Sequence, residues 1–429
     1  MAKGYPKVYA LKGGWREWER AEFPHEEKES ELPEIVQGCV NCHEQVTPFV
    51  VSEWQRSKHS TNMVSCLMCH GVAHMSEKDV DKAGTVKPEL CIMCHEAQGK
   101  QFAAGKHSMA WKAVQALPAA HWQPMAFIEG INGCDSCHKI GFKTEKEIRE
   151  LRKQGAGFGI ASCDVCHTRH SFSVEEARQP ETCRVCHRGF DQPLWEMYSS
   201  SKHGIRNALK RDGTLPQDTP TPTCQECHMK GGDHGVRTAW GWLAIRLPMP
   251  EDKDWAAART TIMQALGMLD PKGEPTDRYA LIKELDLARL TQEDWQKERD
   301  KMNETCRECH PAIFVDRFVA NGDRLIMEAD LLLAEAIRIV TALYKDNLVA
   351  KPWNYPYSFP DFFAAHDAPT PIEQKLHLMF LKHRMSAFQG GFHANPDYAL
   401  WYGLLELQRE MAEIRVMDEQ LRTSKKKRR

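Results

Sequence analysis

Apolar residues fall at helical spacing through the C-terminal third of the chain. Leu325, Ile326, Ala329, Leu332, Leu333, Ala336, Ile337 and Val340 share one face of a run that Asp323 can cap. A second helix is expected from about Pro371, a proline suited to a first helical turn, through Leu376, Met379, Phe380 and His383. A third is expected from about Pro396 through Leu400, Leu404, Leu407, Met411 and Ile414. These stripes predict a bundle of long helices with apolar faces turned to a core or to another subunit. Upstream, long strand-like runs are scarce, and short loops rich in Gly, Pro and Ser dominate. The stretch from Pro248 to Asp277 reads as a surface excursion because it carries several Pro, Gly and Asp residues. The expected fold class is mainly α, with short helices and loops over residues 1–310 and a helical region over 311–429.

The short upstream elements have too little apolar sequence to make a large core, and the cysteines explain what replaces it. All sixteen fall into eight copies of Cys-x-x-Cys-His, with none left over. The copies are Cys39, Cys42 and His43; Cys66, Cys69 and His70; Cys91, Cys94 and His95; Cys134, Cys137 and His138; Cys163, Cys166 and His167; Cys183, Cys186 and His187; Cys224, Cys227 and His228; and Cys306, Cys309 and His310. In this pattern two thiols add across the vinyl groups of a haem and the adjacent histidine ligates its iron. Eight copies that use every cysteine predict eight covalently attached haems and exclude a disulfide framework. Each haem is a large apolar body, so at roughly fifty residues per motif the chain wraps cofactors more than it packs on itself.

Charge adds little. The formal net charge is -2, which gives no support to a nucleic-acid partner. The basic tail from Lys425 to Arg429 reads as a solvated end. No stretch is long and apolar enough to span a membrane; the best, Leu331 to Leu343, is interrupted by Glu335 and Arg338. Thioether attachment requires reduced thiols and exported haem, so a periplasmic or otherwise extracytoplasmic location is expected. The first twenty residues show no apolar signal core.

Twelve histidines lie outside the motifs. Closed, electron-conducting haems need a second histidine each, whereas a reactive one needs an open position. Three of the twelve sit in a weak repeat of aromatic, x, x, Ser/Gly, Lys, His: Trp54 to His59, Phe102 to His107 and Tyr198 to His203. An aromatic ring packed on a porphyrin would let such a histidine reach the iron, so His59, His107 and His203 are candidate second ligands. His74, His121 and His234 join them by proximity to motifs, and His393 by its place before the last helix. His25, His366, His377 and His383 read as surface or core residues. His170 stands apart, three residues after His167 in CDVCHTRHSFS. It is expected not to reach the far face of its own haem, and to act as a proton acceptor over a neighbouring open one. A histidine hydrogen-bonded near a propionate is the plainer alternative.

The segment from Cys163 to Gly204, the stretch CQECHMKGGDHGVRTAWGWLAIRLP after it, and GGFHANPDYALWYG before the last helix together resemble the octahaem hydroxylamine oxidoreductase family. The resemblance extends from the first motif to the C-terminal helices. It implies a homotrimer with seven bis-histidine haems and an open fourth haem, here on Cys134, Cys137 and His138. It maps the family's active-site histidine onto His170, with Asp164 as the nearest carboxylate, because the loop before the fifth motif has no acid. In oxidative members a tyrosine from a neighbouring subunit is bonded to the open haem; Tyr398 and Tyr402 are candidates, and Tyr344 a weaker one. The function implied is oxidation of hydroxylamine or hydrazine, with electrons leaving through seven haems to a partner cytochrome or a quinone-linked partner. Alternatives are reduction of nitrite or hydroxylamine, reduction of sulfur oxyanions, and a non-catalytic electron-transfer cytochrome with every haem closed.

Overall fold

The computed structural model describes residues 32–115, 135–153, 159–189, 191–364 and 368–428. Their regular elements are helices joined by turns and irregular segments, with no strand among them beyond one isolated bridge between Leu269 and Pro275. The described part of the chain begins with two packed helices, α1 (Glu34–Val46) and α2 (Pro48–Arg56), which bury Val36, Val40, Val51 and Trp54 against one another. Pro48 opens α2 at its first turn, where the missing N–H costs nothing. Short helices and turns then follow as far as residue 232. Each motif closes a helical turn of its own: the N–H of His95, His167 and His187 bonds the carbonyl of the motif's first cysteine at 2.9 Å, and that of His310 at 3.0 Å. Residues three and four apart share a helix face, so one turn presents both thiols and the imidazole together.

The aromatic-to-histidine repeat folds as one device used three times. Each helix ends two residues after the aromatic, and the next residue, Ser or Gly, turns extended, with ψ of 155° at Ser57, 171° at Gly105 and 164° at Ser201. Ser57 and Ser201 also donate from Oγ to the carbonyls of Trp54 and Tyr198, at 2.6 and 2.7 Å. Both then cap the next turn by accepting from Ser60 and Gly204 N–H. This break re-aims the chain so that the histidine two residues later leaves the axis of the first helix.

The large apolar core is elsewhere. It is built on α3 (Lys253–Ala265), α4 (Ala312–Lys345), α5 (Pro371–Leu378), α6 (Arg384–Phe392) and α7 (Leu405–Arg428). Along α4, Val315, Val319, Gly322, Ile326, Ala329, Leu333, Ala336, Ile337, Val340 and Leu343 are buried in alternating steps of four and three, the stripe of a helix packed along its length. Gly322 permits a close approach: a Cβ there would stand 2.7 Å from the Phe392 ring.

Two expectations are corrected. Asp323 does not cap a helix, because α4 starts eleven residues earlier after Pro311; Asp323 instead pairs with Arg299. The stretch from Pro248 to Asp277 is no surface excursion. Asp252 caps α3 through Trp255 N–H, and Ala258, Ile262, Met263 and Ala265 enter the core. Its prolines, glycines and aspartates bracket the helix instead of dissolving it. The other two helix starts agree with the sequence: Pro371 opens α5 beside a Thr370–Glu373 capping box, and helical backbone resumes at Pro396.

One charged group is sealed in this core. Asp330, fully buried, accepts from Arg384 Nε at 2.7 Å and Trp255 Nε1 at 2.9 Å, with Arg259 at 3.5 Å. The same arginines bond the carbonyls of Ala244 and Leu243, two residues in left-handed backbone. Removing the carboxylate leaves two buried guanidinium groups uncompensated, a loss of about 3–5 kcal/mol for a buried pair. Asp330→Ala is expected to lower the unfolding free energy from denaturant titration by that amount; a value within about 1 kcal/mol of wild type would refute the clamp.

Candidate functional site

Seven motif histidines each face a histidine from outside the motifs. The pairs and their ring-centroid separations are His43–His74 at 6.1 Å, His70–His170 at 6.2 Å, His95–His59 at 6.1 Å, His167–His234 at 6.2 Å, His187–His107 at 5.9 Å, His228–His393 at 6.3 Å and His310–His203 at 6.0 Å. Two imidazoles bonded to opposite sides of one metal ion through bonds of about 2 Å place their centroids roughly 6 Å apart. A single pair at this distance could be an ordinary ring contact. Seven within 0.4 Å of one another, each joining a motif histidine to an outside one, with interplanar angles from 23° to 74°, are not explained by stacking.

Hydrogen bonds set the rings for ligation. Nδ1 of His43 bonds Thr47 Oγ1 at 2.8 Å, His74 bonds Asp79 at 3.1 Å, His234 bonds the Gly232 carbonyl at 2.7 Å and His393 bonds the Gln389 carbonyl at 2.7 Å. An acceptor on Nδ1 fixes the tautomer and leaves Nε2 for a metal. Burial drives the rings of His187 and His228 down to about 4, so both are neutral near pH 7, the form that ligates.

All fourteen rings line one continuous cavity of about 3650 Å³, together with every described motif cysteine except Cys42. Thiols of successive motifs lie side by side along it. Cys91 lies against Cys163, Cys183 against Cys224 and Cys186 against Cys137. Cys39 neighbours Cys66, Cys69 neighbours Cys91, Cys166 neighbours Cys183, and Cys227 neighbours Cys306. The motifs thus run first, second, third, fifth, sixth, seventh, eighth, and the fourth adjoins the sixth. An elongated cavity with facing imidazoles and paired thiols at its wall fits a row of covalently held porphyrins.

The expected second ligands His59, His74, His107, His203, His234 and His393 all stand in these pairs. His121 and Cys134 lie outside the described residues, as do His25 and His366. His170 departs from expectation: its ring faces His70, and its backbone N–H donates to Glu53 at 3.0 Å. The turn after His167 carries it to the second motif, away from the fourth over which a proton acceptor was expected. Asp164 is no relay partner for it. Its buried carboxylate takes the Gly159 N–H at 3.3 Å and lies 3.6 Å from Arg169, while burial raises its affinity for a proton.

The sequence reading missed Asp191. This carboxyl lines the cavity close enough to His138 to feel its charge, and burial holds it above the usual carboxylate range. No motif marks it, since it lies in an ordinary turn after the sixth Cys-x-x-Cys-His. Of the tyrosines, Tyr344 is committed to the core by a hydrogen bond to Glu373. Tyr398 and Tyr402 sit on one wide helical turn, Tyr398–Leu404, with rings 4.9 Å apart. Tyr402 is exposed beside Leu400, Trp401 and Leu405. His383 is buried and donates from Nδ1 to the Tyr402 carbonyl at 3.3 Å, and His377 is also buried.

Comparison with known proteins identifies the family. A family model described as "Seven times multi-haem cytochrome CxxCH" matches residues 35–242 and 276–355. The "Probable nitrite reductase-hydroxylamine oxidoreductase fusion protein" of Kuenenia stuttgartiensis is 25% identical over 489 residues, an alignment covering 90% of this chain and 52% of that protein. The chain therefore spans about half the length of this curated relative. Among solved structures, the Kuenenia stuttgartiensis reducing HAO-like protein complex superposes with a TM-score of 0.69 at 24% identity, over 90% of this chain and 85% of the other. A hypothetical multihaem protein superposes with a TM-score of 0.67 at 19% identity, over 93% and 98%.

His170 supplies a clean test of the pairing. Replacing it by Ala should open the haem of His70 and add one high-spin signal to the electron paramagnetic resonance spectrum. Unchanged spin states with slower turnover would return His170 to proton transfer.

Proposed function

The chain belongs to the multi-haem cytochromes that bind c-type haem through Cys-x-x-Cys-His, and on that footing we propose that it is an octahaem oxidoreductase acting on a small nitrogen compound. The seven histidine pairs carry this reading: they would close seven haems for electron conduction. The eighth, on Cys134, Cys137 and His138, would be the substrate haem, as in the octahaem hydroxylamine oxidoreductases that the sequence resembles. When bound, this haem supplies the electron exchange and the metal site for the substrate nitrogen.

The residues around it have separate tasks. His138 holds the proximal side. Asp191, buried and inclined to keep its proton, would donate or accept at the substrate, a role the sequence assigned to His170. Electron exchange at a nitrogen atom is accompanied by proton transfer, so a buried carboxyl with a raised proton affinity suits both directions.

Reduction of nitrite or hydroxylamine is the direction we favour, because the solved Kuenenia relative is named a reducing HAO-like complex, whereas the fusion protein's name carries both nitrite reductase and hydroxylamine oxidoreductase. Oxidation of hydroxylamine or hydrazine has an observation of its own. Tyr402 is exposed on an apolar strip with Leu400, Trp401 and Leu405, the placement needed for a tyrosine that crosses to a neighbouring subunit in a trimer. Electrons would pass to or from a cytochrome or quinone-linked partner outside the cytoplasmic membrane. No helix among the described residues is long and apolar enough to cross a membrane.

The reading is tested by spectroscopy and mass spectrometry of the purified holoprotein. One high-spin haem that binds nitric oxide or cyanide is expected beside seven low-spin ones; a wholly low-spin, unreactive protein would leave an electron-transfer cytochrome. A haem peptide without a tyrosine adduct supports reduction, and a bridge to Tyr398 or Tyr402 supports oxidation. Asp191→Asn should lower turnover at least tenfold, the usual lower range for loss of a general acid being about a hundredfold, with the spectra unchanged.

A further inference from the structure

We propose that Lys106, Arg237 and Arg246 form a seat for one haem propionate where the segments carrying His107 and His234 cross. The proposal rests on the reading that the His107–His187 and His167–His234 pairs each hold a haem.

The crossing is tight. Lys106 N–H bonds the Val236 carbonyl at 2.9 Å, and a Cβ on Gly105 would stand 2.9 Å from Val236 N and 3.0 Å from the His234 carbonyl. The cations that flank it converge on one carboxylate oxygen, Oδ2 of Asp286, at 2.6 Å from Lys106, 2.8 Å from Arg237 and 3.3 Å from Arg246. Glu298 adds a second carboxylate, 3.0 Å from Arg237 Nε. Three cations against two carboxylates leave one positive charge without a counterion, with Arg246 buried and Lys106, Arg237 and Asp286 partly exposed beside it.

Arg246 shows where the missing anion belongs. Its side chain is 2% exposed; Nε donates to the Thr238 carbonyl at 3.0 Å and Nη1 to the Asp286 carbonyl. Among the described residues nothing accepts from Nη2, which is buried. A buried guanidinium with an unused edge calls for a planar oxyanion, which it can bind through two parallel N–H bonds. Arg237 Nε, beside Glu298, also lacks a well-aligned acceptor, and orphaned nitrogens occur on Arg259, Arg289 and Arg384, but these three side chains do not border the cavity. Lys106, Arg237 and Arg246 all border it. A propionate is the anion that a haem held by either adjacent histidine pair would bring to this place.

The consequence is electrical. A fixed positive charge at a haem edge stabilises the form with one more electron, so it raises that haem's potential. The sixth motif adjoins both the fourth, through Cys186 and Cys137, and the seventh, through Cys183 and Cys224. Raising a potential beside this junction would make it a collecting point between the substrate haem and the rest of the row.

The test is a spectroelectrochemical titration of full-length holoprotein, with haem content and low-spin spectrum measured on the same samples. Arg246→Met should keep its haems and bis-histidine spectrum while one component moves to lower potential. Arg246→Lys, which keeps the charge, should restore most of the shift. Lys106→Met, on the more open side, should move the same component the same way even if the Arg246 variants fail to fold. Full haem content with a titration superimposable on wild type overturns the seat, as does an equal shift in Arg246→Met and Arg246→Lys. A component that responds to added nitrite in wild type and not in Arg246→Met would assign the seat to a free anion and overturn the propionate. Fewer than seven bis-histidine signals in the wild type would instead remove the haem reading on which the proposal stands.

Discussion

Two imidazoles held about 6 Å apart are the constraint on which most of this chain depends. Each pair ties segments distant in sequence: His70 to His170, His203 to His310, His228 to His393. Joined through an iron, such a pair acts as a cross-link. It closes a long loop in the unfolded chain and stabilises the fold by the loop entropy it removes. This accounts for the uneven distribution of apolar packing. Before residue 235 the buried apolar clusters are small, Val36, Val40, Val51 and Trp54 in one and Trp111, Ile148, Leu151 and Ile160 in another. After it, where a single motif remains, helices α3 to α7 build an ordinary core. Where cofactors supply the core the chain needs only turns that aim ligands; where they are sparse it must pack on itself.

The turns that aim ligands were partly legible. The repeat of aromatic, Ser or Gly, Lys and His carries a local mechanism, because a capping serine ends one helix and starts the next within three residues, and all three of its histidines stand opposite motif histidines. His170 has no such local signal. Where it goes depends on how the fifth motif packs against the second, and nothing in CDVCHTRHSFS encodes that distance. The same limit applies to Asp191, whose proximity to His138 arises from the junction of the sixth and fourth motifs.

Helix periodicity gave reliable faces and unreliable boundaries. Asp323 looked like a cap because an apolar stripe follows it, yet α4 carries the stripe back to Val315 through exposed turns whose polarity hid the continuity. The segment from 248 to 277 looked like a loop because turn residues were counted across its whole length. They cluster at its ends, and the interior, Ala-Ala-Ala-Arg-Thr-Thr-Ile-Met-Gln-Ala, is a good helix with Arg259 turned inward to a buried partner. A charged residue in an apolar stripe argues against burial unless its counterion is known, and Asp330 lies 71 residues further along the chain.

The order of the motifs in space then bears on how the proposed activity would run. The fourth motif stands off the main row and meets it at the sixth. A substrate haem at the end of the row would receive electrons through one terminal neighbour. A substrate haem beside an interior member can draw on carriers lying both ways from the junction, toward the fifth and toward the seventh. Chemistry at nitrogen that moves several electrons needs them in close succession, while a partner cytochrome exchanges them singly. A branch in the middle of a stocked row meets both demands, and it puts the charges around the sixth motif, more than those at the ends, in control of which way electrons settle.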